Sequence, residues 1–263
     1  MLRGAVFSRF VVLLLLFFLP LMTDAQSPSE ANYEEEKVPP YELPDPLTFE
    51  DGSPVRSAAE WPRRRAELLS LFADHVYGNA PDTGGEITFE VRKTVPMFLE
   101  GKATLSEHRI FLLGEKEGPF ADLLLITPNA TKAAPTFLTL NFSGNHAINS
   151  APEISLPESW MRMSADDQQS GRVIENRAQD AGRGAKASRW PVEKIIASGA
   201  ALATIYYGDI DPDFDDGFEN GVHATLGKPD GPHAWGSIAT WAWGLSRAMD
   251  HLVTLPNVDA SRV

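Results

Sequence analysis

The chain of 263 residues contains no cysteine. A disulfide framework, a thiol nucleophile and a thiolate-bound metal are therefore all excluded. Positive charge is also scarce, because 23 Lys and Arg residues stand against 36 Asp and Glu residues, a formal net charge of −13. Nucleic acids and anionic membrane surfaces are bound through clustered Lys and Arg, so neither is expected as a partner. The sequence does have 43% apolar residues, enough for one large core.

Only the amino terminus carries a long apolar run. Arg3 and Arg9 come before the run over residues 11–22, and small residues up to Ala25 suit signal-peptidase cleavage. The run is shorter than the roughly 20 apolar residues of a membrane-spanning helix. The sequence therefore predicts a signal peptide over residues 1–25 and an exported protein, periplasmic or extracellular, with no membrane contact after cleavage.

An acidic, proline-rich segment over residues 26–54 follows the predicted signal peptide. Its composition predicts an extended arm, and its aromatic residues Tyr41 and Phe49 indicate that the arm packs onto a surface. Residues 55–263 show no internal repeat and no linker, which predicts one domain.

Strand-like and helix-like stretches alternate through this domain. The spacing of apolar residues predicts helices over 61–77, 191–198 and 235–252, and strands over 87–95, 109–113, 121–127, 136–142 and 200–207. The last two strands are apolar on both faces, which is typical of central strands covered by helices. A long polar insertion over residues 143–189 and a short helix separate them. This strand–helix–strand order predicts an α/β fold with a parallel sheet.

The last helix has the clearest pattern. Its apolar residues recur at helical spacing and form a broad stripe that we expect to be buried, namely Ile238, Trp241, Ala242, Leu245, Ala248, Met249 and Leu252. Ser246, in Gly-Leu-Ser-Arg-Ala, imitates a nucleophile elbow but lies within the helix, whereas an elbow needs a strand before the serine. A turn at Pro256 and the first residues of another strand follow.

Two groups of residues are candidates for a functional site. The loop after strand 136–142 occupies the position at which a backbone N–H often completes the oxyanion hole of α/β-hydrolases, although a plain turn is the alternative. The loop residues that would border such a site are Asn141, Ser143, Gly144, Asn145 and His146. Arg189 and Trp190 are candidates for the substrate side, by pairing with a carboxylate or stacking on a sugar; a structural salt bridge is the alternative for this arginine and for Arg183. Ser143 and His146 are too close in sequence to be expected as a catalytic dyad.

The acidic stretch over residues 207–217 resembles a calcium loop at first sight. When the EF-hand template starts at Asp211, the required Gly falls on Asp216 and the bidentate Glu on Val222. A hydrogen-bonded structural loop is therefore favoured over a calcium site. The histidines show neither H-x-x-x-H nor H-E-x-x-H spacing, so metal catalysis is not indicated.

Several stretches together match one known family. They are LNFSGNH (140–146), RGAKASRWP (183–191), ATIYYGDIDPDF (203–214), and above all WGSIATWAWGLSRAMDHL (235–252) followed by VDASRV (258–263). In these stretches the chain resembles the secreted glucuronoyl esterases of carbohydrate esterase family 15, often labelled acetylxylan esterase-like. The resemblance implies an α/β-hydrolase fold, three layers around a mostly parallel sheet, and a serine esterase without metal or cofactor. It also implies glucuronoxylan of the plant cell wall as the substrate.

The resemblance further implies where catalysis occurs. In the family, a strand that continues from VDASRV leads into a G-H-S-R-x-G-K elbow with the nucleophile, and the acid and histidine of the triad come later. None of these positions exists in this sequence, so no catalytic residue is assigned to it. We expect residues 55–263 to be the N-terminal half of a hydrolase domain, truncated before the nucleophile-elbow strand and inactive alone. The alternative is an exported, non-catalytic carbohydrate- or calcium-binding module built on half of this fold.

Overall fold

The computed structural model of the protein describes residues 32–83 and 87–263. The predicted signal peptide and the first part of the predicted arm, residues 26–31, lie outside the described residues. The chain divides after Pro46 into a short amino-terminal unit and a large unit over Leu47–Val263. Across the described ranges, no helix is both long enough and apolar enough to cross a membrane.

The two aromatic residues of the predicted arm differ. Tyr41, in the short unit, is exposed, and the packing of the arm onto a surface stays a prediction. Phe49, in the large unit, is buried as predicted, and the Arg63 guanidinium lies 4.2 Å from its ring centroid.

The large unit contains the predicted helices and strands in the predicted order, together with short elements that the sequence did not predict. They are α1 (Trp61–Phe72, continued by a π-helical turn over Ala73–Tyr77), β1 (Thr88–Phe98), β2 (Ala103–Phe111), β3 (Phe120–Pro128), β4 (Thr136–Asn141), α2 (Ala165–Gln169), β5 (Val173–Ile174), β6 (Arg177–Ala178), α3 (Val192–Ala197), β7 (Ala201–Tyr206), α4 (His223–Leu226) and α5 (Ser237–Leu252). The short pair β5–β6 is a hairpin within the long polar insertion.

The main sheet is mixed and has the strand order β1-β2-β3-β7-β4. The pairs β1–β2, β2–β3 and β3–β7 are antiparallel. Strands β4 and β7 are parallel, as predicted for this pair. Beside the start of β4, the Thr136 N–H donates to the Arg262 carbonyl at 2.9 Å, and Ala134 forms a parallel bridge with Val258. Residues 258–262 therefore run alongside β4.

The core lies on both faces of the sheet. Because side chains alternate along a strand, Leu123 and Leu125 of β3 pack on the α5 side, while Leu124 and Ile126 pack on the α3 side. Helix, sheet and helix thus form the three layers of an α/β fold. Strand β7 is buried throughout, as predicted for a central strand. Phe137 of β4 is exposed, so the prediction that β4 is covered on both faces is wrong for the described residues.

Helix α5 forms where predicted, but only Ala248 and Leu252 of the predicted stripe are buried. Its buried residues are Thr240, Gly244, Ala248, His251 and Leu252. Of the predicted stripe, Ile238 and Ala242 are exposed, and Trp241, Leu245 and Met249 are only partly buried. Small residues face the protein because the helix approaches closely: a Cβ at Gly244 would lie 2.4 Å from the Cδ1 of Ile210.

Candidate functional site

The parallel strands β4 and β7 bring their carboxyl ends to the same edge of the sheet. In open α/β sheets this edge is where ligands bind. The loop after β4 begins at Phe142, and the loop after β7 begins at Tyr207. Each loop lines a cavity, and these two cavities are called here the β4 pocket and the β7 pocket.

The β4 pocket has a volume of about 250 Å³ and collects most of the residues that the sequence predicts for the site. Asn141, Ser143 and Gly144 line it from the loop after β4, and Arg189 and Trp190 line it from a segment some 45 residues later. Other lining residues include Phe142, Ile148 and Lys186, which sequence reasoning missed. The two predicted groups therefore share one cavity.

Buried amide side chains hold the loop after β4 in place. Asn141 donates through Nδ2 to Oδ1 of Asn145 at 2.7 Å and to the Thr204 hydroxyl of β7 at 3.1 Å. Asn145 in turn donates to the Asp122 carbonyl of β3 at 2.7 Å. Asn145 thus braces the loop from beneath and does not line the pocket.

His146 also lies beneath the loop. Gly144 has a φ of +85°, and a Cβ there would lie 2.8 Å from Nδ1 of the His146 ring, so glycine is required for two reasons. Burial, and then the positive charge of Arg183, lower the pKa of His146 to about 4, so the ring is neutral at neutral pH. Its Nδ1 has no hydrogen-bond partner in the part of the chain that the structure describes, so it does not pair with Ser143 there.

The opposite wall of the β4 pocket is tied to the loop through the backbone. Gly184 N–H donates to the His146 carbonyl at 3.0 Å, and Lys186 N–H donates to the Ala147 carbonyl at 2.8 Å. Arg183 is structural, since it pairs with Asp180 at 2.8 Å and also donates to main-chain carbonyls.

Lys186 and Arg189 make the β4 pocket electropositive. No carboxylate lines the pocket, and neither cation forms an ion pair within residues 32–83 and 87–263. This placement is unusual in a chain with a net charge of −13. The pocket is suited to negative charge on a ligand.

The β7 pocket, of about 480 Å³, is lined mainly by the acidic loop after β7. The Asp216 carboxylate accepts from the N–H groups of Phe218 and Asn220 at 2.9 and 3.1 Å, as in a hydrogen-bonded structural loop. Among the described residues, no group of three or more His, Asp or Glu side chains has an arrangement that could hold a metal ion.

Three packed rings separate the two pockets. Phe142, from the β4 pocket, lies 4.6 Å from the ring of Tyr207 and 5.8 Å from that of Trp241. The Trp241 indole N–H donates to the carbonyl of Asp211, which lines the β7 pocket, at 2.6 Å. The pockets are therefore neighbours across one aromatic cluster.

A network of charges, in which Asp209 is buried and Glu158 is exposed, joins the long insertion to the sheet next to the site. Arg109 of β2 pairs with Asp122 at 2.7 Å and with Glu158 of the insertion at 2.9 Å. Asp209 accepts from the Ser159 hydroxyl at 2.5 Å and from the Asp122 N–H at 3.0 Å. Burial, with repulsion from Asp122 second, raises the pKa of Asp209 to about 7. Sequence reasoning missed this network; the signal was the pair of charges on one face of β2, at Glu107 and Arg109.

Among the described residues, no histidine bridges a serine hydroxyl and a carboxylate as in a catalytic triad. His251 Nε2 lies 2.9 Å from His108 Nδ1, and His108 Nε2 lies 2.8 Å from the Ser106 hydroxyl, with no carboxylate in the chain of contacts. Ser246 is exposed on α5 and donates to the Ala242 carbonyl at 3.1 Å, so it is not a nucleophile elbow, as predicted.

Comparison with known proteins identifies relatives over most of the chain, although no family model matches it. Carbohydrate esterase MZ0003, from an unknown prokaryotic organism, is 42% identical over 243 residues, which cover 90% of this chain and 55% of that protein. The 4-O-methyl-glucuronoyl methylesterase of Schizophyllum commune is 46% identical over 46 residues, 18% of this chain and 12% of that protein.

Comparison with solved structures identifies relatives of the same kind. A glucuronoyl esterase from Solibacter usitatus superposes with a TM-score of 0.77 at 41% identity, covering 87% of this chain and 58% of that one. A promiscuous CE15 esterase from the marine bacterial metagenome superposes with a TM-score of 0.77 at 43% identity, covering 88% and 58%. The chain thus spans a little over half the length of these relatives. By sequence and by its α/β-hydrolase fold, the chain belongs to carbohydrate esterase family 15, the glucuronoyl esterases.

Proposed function

We propose that the chain is part of an exported carbohydrate esterase that hydrolyses uronic acid esters of glucuronoxylan, with the β4 pocket as the site of the uronic acid. The observation that carries this proposal is the electropositive β4 pocket at the carboxyl end of β4, with Lys186 and Arg189 free of carboxylate partners within the described residues. The relatives named above support the reaction class.

The chemistry of ester hydrolysis fits such a pocket. Attack on the ester carbonyl creates an oxyanion, and the product is a uronate, so negative charge grows along the reaction. Ser143 and Gly144 line the pocket, and their main-chain N–H groups donate no hydrogen bond in the described part of the structure. They are available as oxyanion donors. The two cations add attraction that increases as the charge develops, which favours the transition state over the neutral ester.

The proposal assigns nucleophilic attack to a Ser–His–acid triad in the portion of the family fold that this chain does not span. Residues 258–262 already run alongside β4, so a strand continuing from them would reach the edge of the sheet where the β4 pocket lies. The nucleophile would then face the loop N–H groups across the ester.

Replacement of Arg189 tests the proposal. In the full-length protein, Arg189→Gln is expected to lower kcat/KM for a methyl glucuronate ester by roughly 10- to 100-fold, because a cation facing the developing charge is lost. The matched control is Arg65→Gln, which changes an exposed arginine of α1 outside the pocket and should leave kcat/KM unchanged. Equal rates for Arg189→Gln and Arg65→Gln would contradict the proposal. Binding of glucuronoxylan with no turnover would instead favour the non-catalytic module.

A further inference from the structure

The His146 ring packs between two glycines, one in the loop after β4 and one in the long insertion. The ring is buried, since His146 is only 1% exposed. On one side, a Cβ at Gly144 would lie 2.8 Å from Nδ1 of the ring, and on the other side a Cβ at Gly182 would lie 2.7 Å from Nε2. Both distances are too short for a Cβ contact. The ring therefore fills the space between the two backbones and determines how far apart they lie.

His146 and its neighbour also join these two segments through the main chain. Gly184 N–H donates to the His146 carbonyl at 3.0 Å, and Lys186 N–H donates to the Ala147 carbonyl at 2.8 Å. The segment that begins at Gly184 carries both cations of the β4 pocket, and the loop after β4 carries the N–H groups proposed as oxyanion donors. The two walls of the pocket are thus held together at His146.

The position of the ring requires it to be neutral. Its Nδ1 has no hydrogen-bond partner within the described residues. The charged groups that act on the ring are Arg183 and Asp180, both from the insertion, with the effect of Arg183 the larger. An imidazolium would place a second positive charge near Arg183 and a buried N–H without an acceptor, and both are unfavourable.

We propose that His146 is a positioning residue of the β4 pocket, whose neutral ring fixes the distance between the loop after β4 and the segment that carries Lys186 and Arg189. The part that this pocket takes in ester hydrolysis rests on the proposed function. His146 does not line the pocket, so it acts on a substrate only through the two walls. A misplacement of about 1 Å in such a site is enough to lower a rate by roughly 100-fold.

Amide hydrogen exchange in the full-length protein, followed by mass spectrometry, tests this role directly. His146→Ala removes the ring, and the amides of Gly184 and Lys186 are expected to exchange roughly tenfold faster, because their acceptors are no longer held. His146→Phe keeps a flat ring and is expected to restore most of the protection, since Nδ1 has no partner to lose. The control is His75→Ala, which removes an exposed histidine outside the pocket and should leave both amides unchanged.

A second variant approaches the same contact from the insertion. Gly182 does not have a positive φ, so alanine can adopt its backbone conformation, and its Cβ would displace the His146 ring. Gly182→Ala is expected to speed exchange at Gly184 and Lys186 in the wild-type background, but to add little in the His146→Ala background, where the ring is absent. This cycle keeps the proposal testable even if one single variant fails to fold.

Acid is expected to release the ring in the wild type. Burial, followed by the charge of Arg183, lowers the pKa of His146 from 6.5 to about 4, so the neutral ring is lost as pH falls through 4. Between pH 7 and pH 4, exchange at Lys186 in the wild type should therefore increase by up to roughly 100-fold relative to His146→Phe measured at the same pH. A ratio that stays constant with pH would contradict the requirement for a neutral ring.

Turnover of a methyl glucuronate ester by the same full-length variants measures the effect on the reaction. His146→Ala is expected to lower kcat/KM by roughly 10- to 100-fold, and His146→Phe to recover most of that loss. Unchanged exchange in His146→Ala would overturn the proposal, and so would faster exchange with unchanged kcat/KM. If the wild type does not turn over the ester, the proposed function fails, and the exchange measurements still decide whether His146 holds the two walls.

Discussion

Replacing Gly78 with alanine is expected to lower the free energy of unfolding by roughly 3 kcal/mol or more, because strain and overpacking add. Gly78 has a φ of +81°, and a Cβ there would lie 2.2 Å from the Ala234 carbonyl oxygen and 2.3 Å from the Trp235 Cα. Both contacts are with backbone, which cannot rotate away. The glycine joins the end of α1 to the segment before α5, where Asn79 N–H donates to the His233 carbonyl at 2.9 Å.

Gly52→Ala is the matched control. Gly52 has a φ of +82°, nearly the same as Gly78, but nothing lies within 4 Å of its added Cβ. Gly52→Ala should lower the free energy of unfolding by only about 1 kcal/mol, which is the cost of a left-handed conformation for alanine. Urea unfolding at equilibrium measures both. If the two variants lose the same stability, close approach of the backbone is not what Gly78 provides.

Asp209→Asn is expected to change how stability depends on pH. The pKa of Asp209 is raised in the folded protein from 3.8 to about 7, which corresponds to about 4 kcal/mol. A carboxyl group with a raised folded pKa stabilises the fold fully below pH 3.8 and loses that contribution as pH rises through 7. Between pH 4 and pH 8, the free energy of unfolding of the wild type should therefore fall by up to about 4 kcal/mol relative to that of Asp209→Asn. Urea unfolding of both proteins across this range is the measurement.

The quantity to compare is the difference in the free energy of unfolding between the wild type and Asp209→Asn, because other groups also titrate in this pH range. Burial lowers the pKa of His146 and of His251 to about 4, so these rings favour folding above pH 6.5 and lose that contribution as pH falls through 4. Their effect is shared by both proteins and cancels. As a control, Asp51 has a lowered pKa from its bonds to Ser53, so Asp51→Asn should give a constant difference above pH 5. A flat difference curve for Asp209→Asn would contradict its burial as an acid.

The order of the helices and strands was predictable, because the local spacing of apolar residues determines it. The faces through which these elements pack in the core were not predictable. Helix α5 packs through Gly244, because a side chain at that position would collide with Ile210. Apolar spacing instead favours the larger side chains on either side. Half of β2 was missed for a related reason. Glu107 and His108 are buried there, and their partners, Ser155 and His251, are far away in sequence.

Prediction of the site was limited in the same way, by contacts between residues that lie far apart in the sequence. The loop residues Ser143 and Gly144 were predictable from their place after a buried strand, and Arg189 from its place beside a tryptophan. Lys186 carries no local signal in a polar insertion. It reaches the pocket only through the bond from its N–H to the Ala147 carbonyl, which is a tertiary contact. Asp211 was considered as a calcium ligand, and its burial beside His223 is visible only in the fold.

The most direct test of the central claim is a crystal structure of the full-length protein with a methyl glucuronate ester or its uronate product bound. We expect the sugar in the β4 pocket, with its carboxyl group facing Lys186 and Arg189 and within hydrogen-bond distance of the Ser143 or Gly144 N–H. A uronate bound elsewhere while the β4 pocket stays empty would contradict it.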